Sequence, residues 1–151
     1  MATLTAAAAQ SGVPAKYRIN GANVLIADYS LGATGNANLS TGDVIQMMKV
    51  PNGANIQAVT LVVDQLSGGN YTFNVGDGNS TGRYFTSLSS GSTSAMFVQT
   101  NAAAQMAGVG YSYSAEDTID IVVGTATTAT ASGVLRLIVT YTMDNFDNGR
   151  A

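Results

Sequence analysis

Short runs of alternating side chains, cut by glycine, asparagine and proline about every ten residues, constrain this chain more than any other feature. Asn23 to Tyr29 is an apolar run bounded by Gly21 and Gly32. Asp43 to Val50 places Val44, Gln46, Met48 and Val50 on one side and Ile45, Met47 and Lys49 on the other, and Pro51-Asn52-Gly53 ends it. Asn55 to Leu66 sets Ile56, Ala58, Thr60, Val62 and Asp64 against Gln57, Val59, Leu61, Val63 and Gln65. Tyr71, Phe73 and Val75 follow the turn Gly68-Gly69-Asn70. Further strands are expected over Arg83 to Leu88, Ala95 to Thr100, Thr118 to Val123 and Val134 to Met143. A period of two with turn residues at such spacing, and no sustained 3.6-residue period, predicts an all-β antiparallel sandwich or barrel.

Around this domain, taken as residues 23–143, lie two other segments. Residues 1–22 are Ala-rich and interrupted by Pro14, and they read as an extended N-terminal arm, with a short helix over Thr3 to Gln10 as the competing possibility. Residues 144–151 read as a polar C-terminal tail. The opening Met1 to Arg18 lacks a basic segment ahead of a long apolar one, so no export signal is expected. No apolar run approaches the roughly 18 residues of a membrane helix, so no membrane partner is expected.

The residue types present exclude much chemistry. Cysteine and histidine are absent, which removes the thiolate nucleophile, the commonest general base and the usual zinc ligands. The net charge of -3, with only six Lys and Arg scattered along 151 residues, argues against nucleic acid as a partner. Charged residues make up 10% of the chain, far below the roughly 25% of an ordinary domain, so its surface is cheap to desolvate against another protein.

Three clusters still invite a functional reading. Asp77, Asn79 and Thr81 alternate with small residues before Gly82, like the first half of a calcium loop. The twelfth position is Leu88 where a bidentate Glu is required, and Asp77-Gly78 and Thr81-Gly82 also suit a tight reversal built on positive-φ glycines. Glu116, Asp117 and Asp120 form an acidic group that would interest a glycoside hydrolase, but it reads as a solvated strand edge. Lys16, Tyr17 and Arg18 join two cations to an aromatic and are the candidate docking residues of the arm. No catalytic, cofactor-binding or metal-ligating residue is assigned.

The layout resembles a known family. An Ala-rich arm, then GDVIQMMKVPNGANIQAVTLVVDQL, then YTFNVGDGNSTGRYF and a closing LRLIVTYTMD are similar to the capsid decoration, or cement, proteins of tailed bacteriophages. The likeness spans roughly residues 40–143, and its most specific segment holds Gly76, Asp77, Gly78, Arg83 and Tyr84. The resemblance implies a jelly-roll-like sandwich and a homo-oligomer, a trimer by preference. It implies a non-enzymatic protein made in the host cytoplasm and seated on the outer capsid surface, where it bridges subunits of the major capsid protein. Two other readings stay open: a tail, fibre or head-fibre base component, and a carbohydrate-binding module. The absence of Trp counts against the last.

Overall fold

The computed structural model describes residues 3–5, 21–32, 39–67, 69–90, 94–99, 108–126 and 132–143. Lys16, Tyr17, Arg18, the 144–151 tail and most of the 101–110 segment lie outside the described residues. The strands are β1 (Thr3–Thr5), β2 (Ala22–Leu31), β3 (Val44–Val50), β4 (Ala54–Ser67), β5 (Tyr71–Asp77), β6 (Phe85–Ser90), β7 (Ala95–Val98), β8 (Asp117–Thr125) and β9 (Ser132–Met143). Thr3–Thr5 therefore runs as a strand rather than as the start of a helix.

Two sheets face one another. One has the order β1-β3-β8-β5-β6, the other β2-β9-β4-β7. Every pairing is antiparallel except that of β1, which lies parallel to β3. The pairings nest: β2 joins β9, β3 joins β8, β4 joins β7 and β5 joins β6, as in one long hairpin wrapped upon itself. The expected all-β antiparallel sandwich is the observed architecture.

The core fills from inward residues of both sheets, as a period of two demands. Ile119, Ile121 and Val123 on β8 meet Leu135, Leu137, Val139 and Tyr141 on β9, all buried. The longest strand does not keep strict alternation. On β4 the buried set is Ala54 and Ile56, then Val59, Leu61 and Val63, then Leu66. Its pairing with β9 shifts between Ile56 and Ala58 and again between Asp64 and Ser67. Each bulge inserts a residue and resets the strand's parity, so apolar side chains three apart both reach the core. The same device acts on β3, where the shift between Gln46 and Met48 brings Ile45, Met48 and Val50 inward and buries Met47 as well. The two-faced assignments expected for β3 and β4 hold only between bulges.

Candidate functional site

Asp77 ends β5 at one end of the sandwich, and its side chain is 0% exposed. A buried carboxylate survives only where donors replace its water. Here they do. Oδ1 accepts the backbone N–H groups of Asn79 (3.0 Å) and Ser80 (2.8 Å) and Nη2 of Arg83 (3.2 Å). Oδ2 accepts Nε of Arg83 and the hydroxyl of Tyr113 at 3.1 Å. Because Tyr113 gives its proton to the carboxylate, Tyr84 donates to the Tyr113 oxygen at 2.8 Å. Arg83 lies 3.6 Å above the ring of Tyr111, which meets Tyr113 edge-on at 5.0 Å.

The electrostatics follow from this geometry. Burial alone would raise the Asp77 pKa, but the bonds from Arg83, Ser80 and Tyr113 outweigh it and hold the carboxyl below its usual range. The Tyr84 and Tyr113 phenols are pushed upward, chiefly by burial. Both stay protonated and serve as donors.

The segment from Gly108 to Tyr113 brings Tyr113 here by pairing with the start of β4. Gly110 and Tyr113 donate backbone bonds to Ile56 and Ala54 (2.7 and 2.8 Å), and Ile56 donates back to Tyr111 at 2.9 Å. Asp77 points inward and is spent on its neighbours, so it has no lone pair to offer a cation. Among the described residues, no group of three or more acidic side chains is placed to hold a metal. The reversal also differs from the expected one: neither Gly78 nor Gly82 adopts positive φ, and the Asp77 side chain holds the turn instead.

Gly76 shows why this loop needs a missing side chain. A Cβ there would stand 2.0 Å from the Ser80 carbonyl oxygen and 2.5 Å from the Thr81 carbonyl carbon. The loop therefore folds back over the outer face of its sheet, above the position where Gly76 pairs with Asp120.

Asp120 overturns the reading of its cluster as a strand edge. β8 is interior, flanked by β3 and β5, and Asp120 is only 6% exposed. Its Oδ1 has no hydrogen-bond partner. Burial pushes its pKa up to about 6; the Thr118 hydroxyl opposes this, while the nearby carboxylates of Asp117 and Asp77 reinforce it. Asp117 accepts the Thr118 backbone N–H at 2.8 Å. Glu116 stands apart in an exposed pair with Lys49 at 3.7 Å. Of the three acids, Glu116 is thus set apart, whereas Asp117 lies near enough to Asp120 for its charge to be felt there.

A surface that alternation alone did not single out lies on the far side of the molecule. On the outer face of the β2-β9-β4-β7 sheet, Val24, Ile26, Met96 and Val98 are 57, 59, 67 and 47% exposed. The register aligns them in rows. Ile26, Ile138, Thr60 and Val98 form one row across four strands; Asp28, Arg136, Val62 and Met96 form the next; Val24, Thr140 and Ala58 form a third. The only charges in these rows, Asp28 and Arg136, bind each other through two hydrogen bonds of 2.7 and 2.8 Å. That bond from Arg136 lowers the Asp28 pKa. An apolar patch crossing four strands is the kind of surface that marks an interaction site. Its signal in the sequence was the apolar outward position on β2 and β7, where a Thr or charge would suit water.

No family model matches the chain, and no curated protein matches it. The solved structures similar to it include two from phage capsids. A chain from the structure titled "Capsid of Ralstonia phage GP4" superposes with a TM-score of 0.72 at 18% identity, covering 93% of this chain and 97% of that one. A chain from "Cyanophage Pam1 capsid asymmetric unit" superposes with a TM-score of 0.59 at 28% identity, covering 89% and 94%. Coverage this complete on both sides means that the whole sandwich, and not a fragment of it, is the shared unit.

Proposed function

We propose that this chain is a non-enzymatic structural protein of a phage virion, of the decoration or cement kind. It sits on the outer surface of an icosahedral shell and bridges neighbouring subunits of the major capsid protein. The observation that carries the reading is the end-to-end likeness to chains of two phage capsids. The nested strand pairing supports the jelly-roll-like form that decoration proteins of this resemblance have.

The physical mechanism is linkage. A protein that binds the assembled shell and not its free subunits stabilises the assembly, by about 2.7 kcal/mol per site at a concentration one hundred times Kd. In this reading the protein acts as a homo-oligomer, so contacts after the first form at high effective concentration. Lys16, Tyr17 and Arg18 extend the contact by docking the arm on an acidic stretch of the neighbouring subunit.

The test is mechanical or thermal. Shells with and without the protein are heated while DNA release is followed by dye fluorescence. Shells lacking it are expected to open at lower temperature, and identical curves would remove the cement role.

A further inference from the structure

We infer that the outer face of the β2-β9-β4-β7 sheet is the surface that this protein lays against the assembled shell. The inference rests on the decoration reading and specifies which face serves it. Of five large apolar side chains exposed among the described residues, four stand on this face: Val24, Ile26, Met96 and Val98. The opposite sheet's outer face presents Gln46, Lys49, Thr72, Asn74, Thr118 and Ser89, and its two central valines, Val44 and Val122, are half-buried and not exposed. The molecule is therefore sided.

The size of the patch decides between a second copy and the shell. Strands lie about 4.8 Å apart and same-face residues about 6.8 Å apart, so three rows across four strands cover roughly 300–400 Å². A stable pair of proteins needs about 800 Å² on each partner. Face-to-face pairing of two copies through this patch alone would thus be too small to persist in solution. A shell presents the same complementary surface many times, and a small patch suffices when several act together.

Charge narrows the partner's chemistry. The three rows sum to zero, because Asp28 and Arg136 neutralise each other within the face. An opposing surface bearing an unpaired charge would be penalised on burial. The fitting partner is a flat, uncharged stretch of the major capsid protein, apolar at its centre, with small polar groups to meet the Thr60 and Thr140 hydroxyls.

The experiment measures co-sedimentation of the full chain with shells assembled without it. The wild type is compared with an Ile26→Lys, Met96→Lys variant and with a Thr86→Lys, Ser89→Lys variant on the opposite sheet, where both residues are exposed. Thermal unfolding verifies the fold of each, and Met96→Ser with Val98→Ser replaces the lysine pair if that pair unfolds. The face variant is expected to bind about 100-fold more weakly, as loss of two buried anchors implies. The opposite-sheet variant is expected to bind as the wild type, and light scattering is expected to give all isolated proteins one size. Equal binding by the wild type and the face variant would overturn the inference while leaving the decoration role intact. A change of oligomer size caused by the face variant would overturn it by making the patch a contact between copies. Failure of the wild type itself to bind shells would instead remove the decoration reading, and this inference with it.

Discussion

At the Asp77 end of the sandwich, a carboxylate, a guanidinium and two phenols turn inward and saturate one another. On the outer face of the β2 sheet, four large apolar side chains stand in water. Each region places side chains where their solubility alone would not. The difference lies in what completes them. The polar cluster finds its partners within the chain, so it spends its interactions on folding. The apolar face finds none among the described residues, and its burial awaits another molecule. Substitutions in the first should therefore move stability, and substitutions in the second should move only assembly.

The largest expected effect is at Asp77. Its replacement by alanine takes the carboxylate acceptor from the partly buried Arg83 guanidinium and the buried Tyr113 hydroxyl, at a cost of about 4 kcal/mol in urea unfolding. Retention of wild-type stability would mean that the cluster is ornamental. The pH dependence has a definite direction. Because the folded pKa lies below the unfolded value of 3.8, the Asp77 contribution is present above that value and disappears as the pH falls through the folded pKa.

Next comes Gly76→Ala. The added methyl meets backbone carbonyl atoms and not a flexible side-chain end, so the 77–82 loop must shift. A loss of about 3 kcal/mol is expected. A loss below 1 kcal/mol in calorimetry would show that the loop yields easily.

Asp120→Asn works in the opposite sense. The native carboxyl has a folded pKa of about 6 against 3.8 unfolded, so its favourable contribution is complete below pH 3.8 and is lost as the pH rises through 6. The amide should make the protein more stable by about 2 kcal/mol at pH 7.5. Near pH 4 it should change little. Denaturant midpoints at the two pH values check this, and an equal shift at both would exclude titration of Asp120 as the cause.

The smallest effect belongs to the exposed face. Ile26→Ser is expected to alter stability by less than about 0.5 kcal/mol, because Ile26 stands mostly in water. A large loss would blur the contrast between the two regions, showing that the face already serves the isolated fold.

Alternation and turn residues were enough to place β2 to β9, with β6 two residues later than expected and β7 ending two residues sooner, since a period of two and glycine breaks are local properties. The bulges were half visible. Ile56 to Val59 and Val63 to Leu66 are apolar neighbours three apart within a strand, which strict alternation does not allow. The Asp77 turn was recognisable as a turn, but its mechanism was not. Arg83 is six residues away in the chain, whereas Tyr113 is 36 away and arrives only through the pairing of the Gly108–Tyr113 segment with β4.

What the residues determined unaided was the class of the molecule: strands, an apolar interior, and a set of side chains poor in charge and lacking His and Cys. The tertiary structure alone decided which strands are interior, and hence that Asp120 is buried in mid-sheet and not solvated at an edge. It alone gathered Val24, Ile26, Met96 and Val98 from strands some 70 residues apart onto one face. The reason is physical. Local pattern fixes which side of a strand is apolar, but only the order of strands in the sheets determines what that side meets.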